Sequence, residues 1–367
     1  MPTTLTYEAY RQCRRFPALD GLRAIAILGV LLHHTRNSPF PRLHGYRGVW
    51  VFFVLSGFLI TTLALREEAR RGRLDLRAFW IRRVFRIMPL YYLTLAVFVL
   101  WAGVWGLEGH ADAFRHALPS YVLYVSEFPI FRSNFQIPFG QSWSLGIEEK
   151  FYLLWPLIAF AILARSRYRL LATLVLLATT GIFTITSHGL AQMWGSYTDI
   201  LLGCLLAQGL DKRVSYRVLA VLGQPAWAWG LWALLAVLTV RPGTGTQFGE
   251  CLYALTAALA LAAVVTGEEG PTAPLRTPWL LRIGAWSYAI YLTHPLALDV
   301  VGRALPKGRL GDWLSLPATL LIVLPVCAGL HVYFEKPLIQ LGRRLAERRP
   351  SIGAASNSID ASAVQPP

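Results

Sequence analysis

Long apolar runs separated by short polar segments dominate the hydrophobic pattern of this chain. A helix that crosses a membrane needs about 20 predominantly apolar residues. Ten runs approach this length, and they lie at about 20–34, 48–65, 87–107, 148–164, 170–187, 199–210, 217–240, 251–267, 284–302 and 314–334. The pattern therefore predicts an all-α fold, a polytopic integral membrane bundle of about ten transmembrane helices.

The composition supports a membrane location. The chain has 367 residues, of which 55% are hydrophobic and 15% are charged. A soluble surface of this length carries a larger charged fraction, and about ten spans leave no room for a large soluble domain. These values exclude a conventional cytosolic enzyme.

The formal net charge of +15 raises the question of nucleic-acid binding, because basic proteins neutralise phosphates. With the N-terminus in the cytoplasm, 24 of the 35 Lys and Arg residues fall on the cytoplasmic side and nine on the opposite side. This asymmetry follows the positive-inside rule and predicts that both termini are cytoplasmic. The charge is thus a topology signal and predicts no nucleic-acid partner.

One domain accounts for most of the chain. Residues 1–349 are predicted to form the transmembrane domain, and 350–367 a disordered cytoplasmic tail poor in large apolar residues. The first apolar run contains Arg23 and lacks a small-residue cleavage site, which predicts a retained span rather than a signal peptide. The cysteines have no paired spacing, so neither disulfides nor a metal site is predicted. They are Cys13, Cys204, Cys251 and Cys327.

Ionisable residues inside an apolar bundle are costly and therefore mark candidate functional sites. They fall at a cytoplasmic level (Arg23, Arg83, Arg86) and an outer level (His34, Glu148, Glu149, Asp199), with His294 inside the ninth run. Arg23 and His34 are eleven residues apart on one predicted helix, within about 20° of one face and separated by about 16 Å of rise. His33 points about 80° away. The alternative for His34 is a hydrogen bond in a helix interface, but the aligned arginine favours a functional site.

Two further segments concentrate charge near the spans. Arg82, Arg83 and Arg86 stand at the entry to the third span, where they either anchor the helix or clamp the phosphates of a cytosolic nucleotide such as coenzyme A. Glu148 and Glu149 stand where the chain re-enters the membrane from outside. Either carboxylate could orient a histidine, and the alternative is favourable charge at a helix N-terminus. The long outward loop before them, about 108–146, could fold back over the membrane mouth.

Several segments carry a resemblance to a known family. They are LDGLRAIAILGVLLHH (19–34), GVWVFFVLSGFLIT (48–61), IRRVFRIMPLYYL (81–93), SWSLGIEEKFYLLWP (142–156), TDILLGCLLA (198–207), WSYAIYLTHPL (286–296) and YFEKPL (333–338). In this order they resemble the membrane-bound acyltransferase family 3. The resemblance implies a ten-helix membrane bundle that transfers acyl groups, commonly acetyl from acetyl-CoA, to sugar hydroxyls of envelope or secreted glycans.

The resemblance also carries over to particular residues. The first-helix pattern falls on Arg23 and His34, the basic signature on Arg83 and Arg86, and the acidic motif on Glu148 and Glu149. Two departures stand out: Trp50 replaces an Asp that many members carry, and Tyr197 replaces an Arg that often precedes the motif at Asp199. If that Asp orients the histidine elsewhere, its task here passes to Glu148, Glu149 or Asp199, or is done without a carboxylate.

The mechanism implied uses both levels of charge. The three arginines would bind acetyl-CoA, and no metal would take part. His34 would remove a proton from the acceptor hydroxyl as general base, with Glu148 or Glu149 fixing its tautomer. Ser144, Tyr291 or a backbone N–H would stabilise the oxyanion. Direct transfer and an acyl-histidine intermediate both remain open.

The acceptor and the setting are less specified. A carbohydrate or lipid-linked glycan is expected as acceptor, including exopolysaccharide and lipopolysaccharide, with membrane lipid and glycan-assembly machinery as partners. Arg outnumbers Lys 31 to 4, which fits a GC-rich bacterial genome and predicts a location in the bacterial inner membrane. The rival function is a transporter or flippase whose buried charges form a proton relay or binding site. A membrane scaffold is a third alternative.

Overall fold

The computed structural model describes residues 3–13, 15–35, 43–104, 111–133, 137–164, 166–186, 191–241 and 247–347. Within these ranges the chain is helical with no β-strand, apart from one isolated antiparallel bridge between Thr4 and Gly267. The predicted all-α class is therefore confirmed.

Fifteen α-helices lie in the described ranges. They are α1 (Tyr7–Gln12), α2 (Pro17–His34), α3 (Gly48–Arg71), α4 (Leu76–Phe98), α5 (Ala111–Val122), α6 (Glu127–Arg132), α7 (Ser142–Pro156), α8 (Ser166–Thr186), α9 (Ala191–Asp211), α10 (Arg213–Ala220), α11 (Pro225–Val240), α12 (Gln247–Thr266), α13 (Pro278–Ala304), α14 (Arg309–Leu330) and α15 (Lys336–Glu347). Short π-helical turns extend α4, α7 and α14 over Val99–Val104, Leu157–Ile162 and His331–Glu335.

Five helical stretches of the described chain are long and apolar enough to cross a membrane. They are Gly45–Arg71, Leu76–Ala102, Arg167–Thr186, Gln247–Thr266 and Arg309–Glu347. A sixth is counted if α10 and α11, which are bent by 73° at a short break, form one span. The chain is thus a multi-pass helical protein by length and composition. The total of about ten spans, the cytoplasmic termini and the domain boundary stay predictions, and residues 348–367 lie outside the described ranges.

Two pairs of helices form the centre of the fold, since α3 packs along α9 and α2 packs along α13. Helices α2, α9 and α13 carry ionisable residues at Arg23, Asp199 and His294, and none of the three is among the apolar candidates for membrane spans. Inward-facing polar groups lower the mean hydropathy of a helix even when it is deeply packed. A hydropathy criterion therefore misses these three helices, although they form much of the centre of the fold.

Glycines bring α3 and α9 into backbone contact. A Cβ atom on Gly57 would lie 1.9 Å from the carbonyl oxygen of Ile200, and one on Gly203 would lie 2.1 Å from that of Val54. Side chains at these positions cannot be accommodated unless the helices separate, because the obstructing atoms belong to the backbone. Small residues at such crossings allow the close packing of membrane helices.

We expect Gly57→Ala to destabilise the folded protein by about 1–3 kcal/mol through overpacking at this crossing. The matched control is Gly181→Ala on α8, because a Cβ there meets no atom within 4 Å. Thermal unfolding of both variants in detergent checks the prediction. Equal unfolding midpoints for the two variants would contradict it.

The described parts of the segment before α7, residues 111–133 and 137–141, pack against the bundle. The hydroxyl of Tyr121 donates a hydrogen bond to the carbonyl of Pro138 at 2.7 Å, and Nε2 of Gln141 donates to the carbonyl of Leu292 at 2.8 Å. An ion pair of 2.6 Å between Lys150 and Glu127 joins α7 to α6. These contacts hold residues 137–141 against α13, where they line a large cavity.

Candidate active site

Two neighbouring cavities bring together the predicted site residues except Glu149, which lines neither of them. The first, here called the arginine cavity, has a volume of about 110 Å³, and its polar lining is Arg23, Arg83, Arg86, Ser56, Glu148, Tyr152, Ser144, Ser287, Tyr288 and Tyr291. The second, here called the histidine cavity, has a volume of about 510 Å³ and is lined by residues that include His33, His34, His294, Tyr46, Trp50, Trp143, Gln141 and Tyr291. Val49 and Tyr291 line both cavities, so the two share a wall.

The arginines of the first cavity are unequally held. Nη1 of Arg23 makes an ion pair of 2.9 Å with Asp20 on the same helix. The guanidinium of Arg83 lies 5.5 Å from the ring centre of Tyr152. Among the residues that the structure describes, neither Arg83 nor Arg86 makes a hydrogen bond or an ion pair, whereas the neighbouring Arg82 is paired with Glu67. Guanidinium groups without a bonded counter-charge suit an anionic ligand, and phosphate oxygens in particular, although the carboxylate of Glu148 lines the same cavity.

Glu148 belongs to the arginine cavity. Its carboxylate accepts hydrogen bonds of 2.9 Å from the hydroxyls of Ser56 and Tyr152, one on each oxygen. Tyr152 is four residues later on α7, a spacing that the sequence could have revealed, whereas nothing in the sequence indicated Ser56 on α3. Oε1 of the neighbouring Glu149 is buried and has no hydrogen-bond partner among the described residues.

His34 is bonded to its own helix rather than to a carboxylate. Its Nδ1 lies 2.8 Å from the carbonyl oxygen of Val30. Because a carbonyl oxygen only accepts, Nδ1 carries the proton and Nε2 of the neutral ring is left as the base. Neither Glu148 nor Glu149 hydrogen-bonds to the imidazole in the described structure, so the geometry does not bring together the histidine–carboxylate pair expected from the sequence.

The side chain of His33 also reaches the histidine cavity, although its position on α2 predicted a different direction. Its ring centre lies 5.2 Å from those of both His34 and Tyr46. Tyr46 belongs to a short 3₁₀ turn, Gly45–Arg47, that packs against the end of α2. This turn follows α2 in the chain, and its position could not be inferred from helical periodicity.

Trp50 occupies the position at which the sequence motif usually has an Asp. Its ring packs edge-on against Tyr46 at 5.4 Å and Tyr253 at 5.5 Å, and the guanidinium of Arg47 lies 5.4 Å from its centre. Trp50 lines both the histidine cavity and a small separate cavity that contains Asp199. An indole thus stands between Asp199 and the histidine cavity, and no carboxylate of the described chain is hydrogen-bonded to His34. Of the alternatives left open by the sequence, the arrangement fits a histidine that works without one.

Two hydroxyls stand at the junction of the cavities. The oxygens of Ser144 and Tyr291 are 2.7 Å apart, and the Tyr291 hydroxyl donates to the carbonyl of Gln141 at 2.9 Å. Both residues were candidate oxyanion donors in the sequence, and the structure brings them together. A thioester carbonyl entering the junction would have to compete with Gln141 for the tyrosine proton.

Comparison with known proteins identifies the family of this chain. A family model described as an acyltransferase domain, of acyltransferase-3 type, matches residues 16–332. The chain belongs to this acyltransferase family. The resemblance found in the sequence motifs is thereby confirmed, and no solved structure matches the chain.

Curated relatives cover most of the chain. The protein named "O-acetyltransferase OatA" from Staphylococcus aureus is 30% identical over 90% of this chain and 58% of its own length. "Putative peptidoglycan O-acetyltransferase YrhL" from Bacillus subtilis is 30% identical over 94% of this chain and 58% of its own. A "Putative O-acetyltransferase" from Staphylococcus aureus strain COL is 27% identical over 96% and 62%. The chain therefore spans about three-fifths of the length of these relatives.

Proposed function

We propose that this family member is a membrane O-acyltransferase that moves an acyl group from cytosolic acyl-CoA to a hydroxyl of a carbohydrate acceptor. Acetyl is the group named for its relatives. The observation that carries the proposal is the shared wall of the two cavities, with unbonded arginines on one side and the free base of His34 on the other. Such a pair of sites suits two substrates that meet at Val49 and Tyr291.

The donor end of the proposal rests on the arginines. Arg83 and Arg86 also line a further cavity of about 310 Å³, together with Arg70 and Arg343. Its other charged lining residues are Glu67, Arg71 and Arg82, and Glu67 is paired with both of these arginines. A surplus of guanidinium groups suits the phosphates of a coenzyme A nucleotide, with Arg23 further along the acyl arm.

The reaction then follows from the groups at the junction. Nε2 of His34 removes the proton from the acceptor hydroxyl, and the oxygen attacks the thioester carbon. The hydroxyls of Ser144 and Tyr291 stabilise the oxyanion. The carbon–sulfur bond breaks, and the thiolate leaves with the proton that His34 held. An acyl-His34 intermediate would use the same groups in two steps.

The histidine cavity, where the acceptor is proposed to bind, has both aromatic and polar lining residues. Trp50, Trp143, Tyr46 and Tyr291 surround the histidine cavity, and Gln141 adds an amide. Aromatic faces with a few hydrogen-bonding groups suit the rings and hydroxyls of a sugar. Peptidoglycan, which appears in the name of the Bacillus subtilis relative, joins exopolysaccharide, lipopolysaccharide and lipid-linked oligosaccharide as a candidate. We place the enzyme in the bacterial inner membrane, with about ten spans and cytoplasmic termini.

The proposal is tested with the full chain in proteoliposomes that contain radiolabelled acetyl-CoA. We expect base-labile label to appear on an added cell-wall or surface glycan fraction. Mass spectrometry of the same glycans from cells with and without the gene should show a matching loss of acetyl mass in the deletion. A transporter would change the amount of glycan on one side of the membrane and leave acetyl-CoA unconsumed, an outcome that would refute the enzyme.

A further inference from the structure

The dipeptide His294–Pro295 fixes the protonation of a second imidazole at this site. Pro295 lies inside α13 and has no backbone N–H, so the carbonyl of Tyr291, four residues earlier, loses its helical donor. Nδ1 of His294 lies 2.8 Å from that same carbonyl oxygen. The ring therefore donates from Nδ1 and keeps its lone pair on Nε2.

That lone pair has no partner among the residues that the structure describes. His294 is 0% exposed, and no described residue hydrogen-bonds to its Nε2. A buried acceptor without a donor is uncommon, because burial removes the water that would otherwise bond to it. The exception calls for a donor that is present only in another state of the site.

His34 supplies such a donor only after it has taken up a proton. The ring centres of His34 and His294 are 5.1 Å apart at an interplanar angle of 64°. In the resting state both Nε2 atoms carry lone pairs and cannot bond to each other. Once His34 has become an imidazolium, its Nε2–H can donate, whereas its Nδ1–H remains on Val30.

We propose that His294 is a positioning residue that stabilises the His34 imidazolium by accepting a hydrogen bond from its Nε2–H. The inference rests on the proposed acyl transfer. The acceptor hydroxyl gives its proton to His34, the new Nε2–H is shared between the acceptor oxygen and Nε2 of His294 while the carbon–oxygen bond forms, and the proton then leaves with the thiolate. Because the bond exists only after proton transfer, it lowers the barrier without strengthening substrate binding. The carbonyl of Val30 fixes the tautomer of His34, the task that the sequence suggested for a carboxylate, and His294 stabilises the imidazolium.

The test compares His294→Phe, which removes the acceptor, with His294→Gln, whose amide can accept through oxygen and donate to Tyr291 through nitrogen. We expect His294→Phe to lower kcat by about 10- to 100-fold, the loss expected for one hydrogen bond to a charged group, with KM for acetyl-CoA unchanged. His294→Gln should recover most of kcat. The matched control is His116→Phe, because His116 is exposed on α5 and bonds through Nδ1 to Asp112 in the same manner.

Rates measured in mixtures of H₂O and D₂O give the solvent isotope effect on kcat. This quantity would stay unchanged if His294 had only a structural role. We expect the solvent isotope effect on kcat to change in His294→Phe and to stay at the wild-type value in His116→Phe. Equal kcat in His294→Phe and wild type, or equal loss in the Phe and Gln variants at matched membrane levels, would overturn the inference. If His294→Phe does not accumulate, His294→Leu serves the same comparison. A wild-type protein that transfers no acyl group would instead refute the proposed function itself.

Discussion

His34→Ala should abolish nearly all acyl transfer, lowering kcat by about 10²- to 10⁴-fold, the usual contribution of a general base. The reason is geometric, since Nδ1 of His34 is held by Val30 and leaves Nε2 as the base at the cavity. The effect is measured as the rate at which radiolabelled acetyl is transferred from acetyl-CoA to glycan in proteoliposomes. Binding of the donor should change little, because the arginines lie in the other cavity.

His116→Ala provides the matched control for this experiment. It removes an exposed imidazole that is also bonded through Nδ1 to a backbone carbonyl, on a helix that lines neither cavity. Membrane levels of both variants should equal those of the wild type. Full activity of His34→Ala at normal levels would show that the hydroxyl is activated by another group, and the catalytic assignment would be wrong.

Loss of the two unbonded arginines should have the second largest effect. We expect Arg83→Gln and Arg86→Gln each to raise KM for acetyl-CoA by about tenfold or more, since a hydrogen bond to a charged group is worth about 1.5–3 kcal/mol. Because the two side chains line the same cavity, the double variant is expected to be non-additive. Initial rates over a range of acetyl-CoA concentrations measure the effect.

Arg77→Gln is the control for this pair, because Arg77 lies on the same helix but lines neither the arginine cavity nor the cavity behind it. Its KM should equal that of the wild type. A KM raised equally by all three substitutions would point to general surface charge rather than a phosphate site. A fall in kcat at unchanged KM would place the arginines in the chemistry instead.

Site residues that share one helix were the easiest to predict. Arg23 and His34 lie on α2, and each lines one of the two cavities, in agreement with the face and the rise calculated from helix geometry. The count of spans was harder to infer, because polar residues lower the mean hydropathy of α2, α9 and α13, which are not among the apolar candidates for membrane spans. The carboxylate partner of His34 could not be inferred at all. The sequence predicted Glu148 at the outer level, yet it lines the arginine cavity and its bonds go to Ser56 and Tyr152.

The sequence by itself determined the features that depend only on residues close together along one helix. It specified helices, the face shared by Arg23 and His34, and the tautomer of His294 through the missing N–H of Pro295. Only the tertiary structure decided which helices meet: it placed His294 beside His34 and Tyr291 between the two cavities. The physical reason is that periodicity is set by the residues of one helix, whereas the rotation and depth of one helix against another depend on packing across the whole interface.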